Sequence, residues 1–365
     1  MIDDKTVAVV VPAYNEENQI GHVIESMPEF VDRIIVVNDR SKDGTGEKVK
    51  ALIPETGRTS SLPSENKVKK TGRYNRALDI IEELNEKEKA YFPPHRIINA
   101  NADKDRLILI NLENNSGVGA AIAIGYKWCK DHQIDCTAVM AGDGQMDPDE
   151  LFSICEPVIR KKIDYVKGNR LIHRSASIAI PRTRFFGNSI LSILTKIASG
   201  YWHVSDTQTG YTAISLNALN AIRLYKIYPR YGMPNDMLVK LNIAFCSLKE
   251  VEIKPVYHVG EKSKMNVPKI ILPISWLLLK SFFKRLWIKY LFRDFHPLFI
   301  LYNLGFLLMF ISLPFLINIL INALSAGSQT PAQYLLIFIF LAISGLQSLL
   351  FAMWMDIQDN ERLYK

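Results

Sequence analysis

Two rhythms alternate along the first half of this chain. Val7 to Val11 is an unbroken β-branched run, the pattern of a parallel strand buried on both faces. It stops at Pro12 and gives way to the polar stretch PAYNEEN. Ile20, Val23, Ile24 and Met27 then recur at helical spacing. Ile34 to Val37 predicts a second buried strand, the turn-rich loop NDRSKDGT follows, and a helix is expected from about Thr45. Leu107 to Leu112, Thr137 to Ala141 and Tyr165 to Lys167 predict further strands. An Ala-rich helix runs from NNSGVG to Lys130. Strands alternating with helices predict an α/β domain with a mostly parallel sheet and right-handed crossovers. The stretch from Pro54 to Asp105 interrupts this order. It is rich in Ser, Lys and Pro to about Gly72, then carries a charge-laced helix from Asn75 to Ala90. It reads as an insertion with no visible chemistry.

The second half changes character. Arg182 to Tyr201 is expected to be helical, with Phe185, Ile190, Leu194 and Ile197 on its apolar side. From Lys269 to Phe295, Lys280, Lys284, Arg285, Lys289 and Arg293 alternate with Trp276, Leu278, Phe282, Trp287 and Phe292, the pattern of a helix lying in a membrane interface. Pro297 to Ala323 and Ala332 to Met355 each exceed the ~20 apolar residues that span a bilayer, and Pro297 to Met355 holds no Asp, Glu, Lys or Arg. The expected organisation is a globular domain over 1–266, interfacial helices over 267–295, two transmembrane helices over 296–356 and a tail over 357–365. Basic residues before the first span, and Arg362 and Lys365 after the second, predict that the domain and both termini are cytoplasmic. A strand begins directly after MIDDKT, so no signal peptide is expected.

Charge and cysteine usage narrow the partners. The net charge of +7 is modest, and its basic residues crowd the segment before the first span. That favours a membrane surface or phosphate over nucleic acid. The four cysteines form no CxxC pair and the histidines are scattered, so a zinc cluster is not expected and a reducing compartment is.

Candidate chemistry centres on TAVMAGDGQMDPDEL, Thr137 to Leu151. Asp143 follows the strand end, where open α/β sheets bind ligands, and a carboxylate there can hold a hard cation that holds phosphates. An acidic turn with Asp149 as a helix cap is the plainer alternative. NNSGVG is not a dinucleotide fingerprint, because Ile122 stands where a third glycine is needed.

In order, VVVPAYNEENQIGHVIESM, VVNDRSKDGTGE, NNSGVGAAIAIGY, VMAGDGQMDPDEL, VKGNRL and GEKSKM resemble the motifs of family-2 glycosyltransferases. The likeness is strongest to the polyprenyl-phosphate group, the dolichyl-phosphate mannose and glucose synthases. It covers about Thr6 to Asn266 apart from the insertion. It implies a GT-A, Rossmann-like domain with a mostly parallel mixed sheet, followed by interfacial helices and a two-helix transmembrane hairpin.

The resemblance also implies roles. Pro12, Tyr14, Glu16, Asp39 and Gly117 fall on nucleotide-binding positions. Asp143 and Gln145 match the second acid and the glutamine of a DxDxQ signature and would hold Mg²⁺ or Mn²⁺; Ala141 replaces the first acid. Arg170, Arg182, Arg184 and Lys264 match a grip on an acceptor phosphate. Val118 stands where relatives often carry a basic residue, and Thr212 where an arginine is usual. Asp206 and Gln208 are expected near the sugar. Asp236 falls where inverting enzymes often carry a base, or it caps a helix. Asp147 is a reserve metal ligand, and Asp43 reads as a turn former.

The implied reaction is inverting, metal-dependent hexosyl transfer from a nucleotide sugar (UDP- or GDP-hexose, glucose or mannose class) to a polyprenyl or dolichyl monophosphate. The bilayer is a partner and a homo-oligomer is compatible. One alternative keeps the domain but uses a sugar hydroxyl acceptor, making Asp236 central. Another is a non-catalytic membrane scaffold or sugar-lipid carrier.

Overall fold

Val7–Ala13 (β1) lies inside a sheet with Arg33–Asn38 (β2), His95–Ile97 (β3), Leu107–Leu112 (β4), Cys136–Val139 (β5), Tyr165–Asn169 (β6), Thr212–Ser215 (β7) and Leu248–Glu252 (β8). The computed structural model describes residues 1–54, 56, 76–176, 182–256, 267–325 and 330–365, without the side chains at 78, 182–188 and 267–271. Strand order is β3-β4-β2-β1-β5-β7-β6-β8. β4, β2, β1 and β5 are parallel neighbours, as are β6 and β8; β3 and β7 run against their neighbours. The helices are Ile20–Glu25 (α1), Thr45–Leu52 (α2), Arg76–Lys89 (α3), Val118–Asp131 (α4), Leu151–Arg160 (α5), Arg182–Ser199 (α6), Leu216–Ala221 (α7), Met233–Ile243 (α8), Val267–Trp287 (α9), Pro297–Leu324 (α10) and Ala332–Glu361 (α11).

The β-branched runs fill two cores at once, because successive strand residues point to opposite faces. Val7, Val9, Val11, Ile34 and Val36 pack under α1 and α5 with Ile20, Val23, Leu151 and Ile154. Ala8, Val10, Ile35 and Val37 pack against α4 and α8 with Ala121, Ile124, Met237 and Leu241. Each fully buried valine contributes roughly 1.5 kcal/mol or more.

One expectation needs correction. The segment from Pro54 to Asp105 is not wholly an appendage: its final part forms β3, which pairs antiparallel with β4 at the sheet edge. Buried Arg33 donates to the Asp103 carbonyl at 2.9 Å, tying the following loop down. In α6, Ile190 is 59% and Leu194 38% exposed, while Leu191, Thr195 and Ala198 face the protein. Ile190, Ile193 and Leu194 thus form an exposed apolar stripe on the helix that packs against α9.

α10 and α11 each contain an 18-residue stretch, of mean hydropathy 2.5 and 2.4 respectively, and are long and apolar enough to cross a membrane. They pack closely at glycines: a Cβ on Gly305 would come within 2.7 Å of Leu349 Cγ. A buried polar knot joins this hairpin to the domain. Arg285 of α9 makes a two-point contact with Asp356 of α11 at 2.7 Å on each oxygen, and its Nε donates to the Ala198 carbonyl of α6 at 3.0 Å. Asn242 of α8 donates to Asn360 of α11 at 2.7 Å. Past α11 the chain returns to the sheet: the amides of Leu248 and Lys365 donate to the carbonyls of Leu363 and Leu248, at 2.7 and 2.9 Å.

Candidate active site

The loops singled out above leave the sheet at one edge. β1, β2, β4 and β5 end there, β6 ends there, and antiparallel β7 begins there. The first two loops are laced together. The Asp39 amide donates to the Ala13 carbonyl at 2.9 Å. Asn15, at φ 55°, accepts on Oδ1 from the Lys42 amide at 2.8 Å, and the Glu16 amide donates to Thr45 Oγ1 at 3.0 Å. Pro12 is buried at this junction; Tyr14 and Glu16 are half-buried. Asp43 accepts from the amides of Glu17 and Thr45, both at 3.2 Å, and so starts α2 as a turn former.

Asp39 clasps the glycine turn before α4. Its two carboxylate oxygens accept from the amides of Ser116 and Gly117 at 2.6 and 2.8 Å. Burial pushes its pKa up; those amides and the Arg230 charge offset part of the rise. Gly117 has φ 93°, and a Cβ there would collide with the Pro229 carbonyl oxygen. The Gly119 amide donates to that same oxygen at 2.9 Å. The 228–230 loop therefore rests on the turn, with Arg230 beside Asp39.

The Asp143 loop packs on the end of β1 through the Gly142 amide, which donates to the Pro12 carbonyl at 3.2 Å. Asp143 is half-buried, and its Oδ1 accepts from the Gln145 amide at 3.1 Å. β5 ends at Val139, so Ala141 lies outside the strand and supplies only a backbone contact to Met146. Asp147 is not spare for a metal: one oxygen caps the Asp149 amide at 3.0 Å and the other pairs with Lys254 at 2.9 Å. Among the described residues, no three His, Cys, Asp or Glu side chains converge. A half-buried carboxylate beside an amide side chain still suits a hard cation that takes its other oxygens from a diphosphate and water.

Arg170 follows β6 as expected, but a carboxylate already holds it. Its Nε and Nη2 donate to Asp206 at 2.8 and 3.1 Å, and Asp206 is only 3% exposed. Burial raises the Asp206 pKa, but the Arg170 charge and hydrogen bonds and the Lys167 charge outweigh it and hold the carboxyl below its usual range. Glu250 of β8 shapes the same loop by accepting from the amides of Ser205 and Asp206 at 3.0 Å. Asp206, expected to face the sugar, instead positions Arg170. Gln208 donates to Asn235 Oδ1 at 2.9 Å, and Asn235 also accepts from Thr195 at 3.0 Å.

Asp236, one residue further along α8, meets different partners. Its Oδ2 accepts from the Tyr228 amide at 2.8 Å and pairs with Lys240. In this arrangement the carboxylate supports the loop and the helix. Arg182 and Arg184 open α6, and their side chains lie outside the described residues, as does Lys264 entirely. No motif flagged Glu250, Asn235 or Arg230. The signal for Asn235 was its place beside Asp236; for Glu250, in an edge strand that also holds Glu252, there was none.

Comparison with known proteins places these loops in a family. The model described as glycosyl transferase family 2 matches residues 8–82 and 95–223. The UDP-N-acetylglucosamine–dolichyl-phosphate N-acetylglucosaminyltransferase of Methanococcus voltae is 29% identical, over 70% of this chain and 87% of the relative. The undecaprenyl-phosphate mannosyltransferase of Micrococcus luteus is 23% identical, over 71% of this chain and 87% of the relative. Among solved structures, the Mycobacterium tuberculosis glucosyl-3-phosphoglycerate synthase aligns with TM-score 0.47 at 16% identity, over 77% of this chain and 81% of that one.

Proposed function

The chain belongs to glycosyl transferase family 2, and from that membership we propose that it transfers a sugar from a nucleoside diphosphate sugar to the phosphate of a polyprenyl or dolichyl phosphate. The product is a lipid-linked sugar donor for glycosylation. The observation that carries this reading is structural continuity. The strand-end rim bearing Asp39, Asp143 and Arg170 is bonded into a helical hairpin long enough to cross a bilayer, through Glu250, Tyr364 and the Arg285–Asp356 knot. Relatives that carry polyprenyl-phosphate acceptors in their names support it.

The donor nucleotide lies in this reading against Pro12, Tyr14 and Glu16, with Asp39 and Gly117 fixing the turn beneath it. Asp143 and Gln145 would hold Mg²⁺ or Mn²⁺, which when bound offsets charge on the leaving diphosphate. An acceptor phosphate oxygen forms a bond to the anomeric carbon from the face opposite the leaving group. The bond from that carbon to the diphosphate oxygen breaks, and its electron pair leaves with the nucleoside diphosphate. The anomeric configuration inverts. A phosphate monoester, with a second pKa of about 6, is largely dianionic near neutrality and needs no strong base. The engagement of Asp236 by Lys240 and the Tyr228 amide favours such an acceptor over a sugar hydroxyl. Arg170, oriented by Asp206, draws the acceptor phosphate to the rim, with Arg182, Arg184 and Lys264 as further contributors. Catalysis then rests on alignment and electrostatics.

Both termini belong to the domain side of the hairpin, since the tail pairs with β8. With the positive-inside rule this supports a cytoplasmic site. The deciding experiment incubates the full-length protein with labelled UDP- and GDP-sugars, N-acetylhexosamines included, and polyprenyl phosphate. Release of nucleoside diphosphate with a labelled lipid product is the expected result. No lipid product with any donor would reject the proposal, and transfer to a sugar hydroxyl instead would restore the alternative.

A further inference from the structure

Between the globular domain and α9 lies a cleft of about 340 Å³. Its walls are the 225–229 loop, α8 and the middle of α9. Lys226, Lys240, Lys280 and Lys284 line it. Asp236 is the one acid among the lining residues, and Lys240 already pairs with it. Four positive charges thus face one negative charge. Burial holds the Lys240 pKa below its ordinary value; Asp236 opposes this, while Lys284 and Lys226 add to it. A pocket with this excess of cations is suited to an anion.

The helix that forms one wall indicates where the anion comes from. Leu272, Trp276, Leu279, Phe283 and Trp287 recur on one face of α9, and each is 46% exposed or more except Phe283, at 38%. Ile274, Leu278, Phe282 and Leu286 are buried against the domain. Lys280 and Lys284 lie on the flank between the exposed stripe and the cleft, and Lys280 Nζ sits 5.7 Å from the Trp276 ring centre. Lysines beside a Trp- and Phe-bearing stripe keep their charged ends at headgroup level while their stems follow the apolar surface. Arg170 and Asp143 do not line this cleft. The 228–230 loop stands between it and the Asp39 turn.

We propose that the cleft binds the phosphodiester headgroup of an anionic bilayer lipid, separately from the sugar-transfer rim. This rests on the membrane placement proposed above, but not on the identity of the acceptor. The bound headgroup bridges the domain to α9. It also braces the loop that carries the Pro229 carbonyl over the glycine turn and Arg230 beside Asp39. Membrane composition is thereby linked to handling of the donor nucleotide.

The test uses the full-length protein in neutral detergent, with native mass spectrometry counting retained dihexanoyl phosphatidylglycerol against dihexanoyl phosphatidylcholine. Phosphatidylglycerol is expected to be retained preferentially. With each cleft lysine worth ~1 kcal/mol, the triple variant Lys226→Gln, Lys280→Gln, Lys284→Gln should weaken retention by about a hundredfold. Arginines at the same positions should restore it. The Lys280→Gln, Lys284→Gln double variant, at two exposed positions, gives the same reading if the triple variant melts early. Equal retention by wild type and variant, or of the two lipids, overturns the proposal. So does competition by inorganic phosphate at matched concentration, which would mark a soluble-anion site, or by polyprenyl phosphate alone, which would mark an acceptor site. Flotation with phosphatidylcholine vesicles is the separate control. Failure to float refutes the membrane placement, whereas flotation without lysine-dependent retention refutes only the cleft.

Discussion

Asp206 does two jobs with one carboxylate: it orients Arg170 and it accepts from the Gln208 and Thr209 amides, each at 3.2 Å. This changes how Arg170 should be tested. Arg170→Ala alone leaves a buried, unpaired Asp206, a loss of about 3–5 kcal/mol that would be mistaken for a catalytic effect. The double variant Arg170→Ala, Asp206→Asn should melt closer to wild type, yet show a raised KM for polyprenyl phosphate with nearly unchanged nucleotide-sugar binding by calorimetry. Equal loss of both affinities would contradict the acceptor role. Asp143→Asn has no comparable structural cost and should lower kcat by ~100-fold or more at unchanged Tm. Full activity in the membrane transfer assay would remove Asp143 from the mechanism. Lys167, buried in β6 and bonded to the Thr209 carbonyl, has its pKa brought down to about 8, by burial first, with Asp206 and Glu250 opposing. Between about 8 and the ordinary 10.5, the unfolded chain holds a proton that the folded chain has released. Stability should therefore rise with pH across that window. Melting curves should show this rise in wild type and a flatter profile in Lys167→Met.

At the scale of elements, the chain was most legible where burial is two-sided. The β1 and β2 runs are apolar at every position because both sheet faces are covered, and no helix reading competes. The rim loops were legible for a related reason: Pro12, Gly117 and Asp143 sit at strand ends, where composition changes abruptly. For α6 the sequence showed an apolar side but not what it faces. A stripe such as Ile190, Ile193 and Leu194 has the same periodicity whether it meets protein or lipid, so period alone cannot choose between them. The Arg285–Asp356 pair was invisible because 71 residues separate its members. Asp356→Ala should cost about 3–5 kcal/mol by stranding a fully buried guanidinium, read as a fall in Tm in nanodiscs. The exposed α9 stripe carries its own prediction. In a variant with Trp276 as its only tryptophan, bromines near the lipid headgroups should quench fluorescence more than bromines at the acyl ends. Quenching by neither would place α9 away from the membrane.

For the whole molecule, the important relation is between the rim and the hairpin. The sheet, the clasped loops and the family match describe a catalytic domain. α9, the polar knot and the returning tail decide where that domain stands. The tail contact reaches the site in three steps: Tyr364 donates to Glu250 at 3.4 Å, Glu250 accepts from the Asp206 amide, and Asp206 holds Arg170. Removing residues 363–365 should therefore lower turnover with polyprenyl phosphate several-fold while the hairpin still inserts. Undiminished turnover would show that the tail serves stability alone.

The double seam, at α9 and at the tail, has a mechanical consequence. A domain on one flexible stalk would sample many elevations and tilts above the lipid, and the reaction would wait for the favourable ones. Here the two anchorages act like the legs of a trestle and set a single working height. The mobile partner is then the lipid, whose phosphate must rise to meet a stationary sugar. Acceptors with bulkier or more deeply seated phosphates should be penalised by distance even when their chemistry is identical.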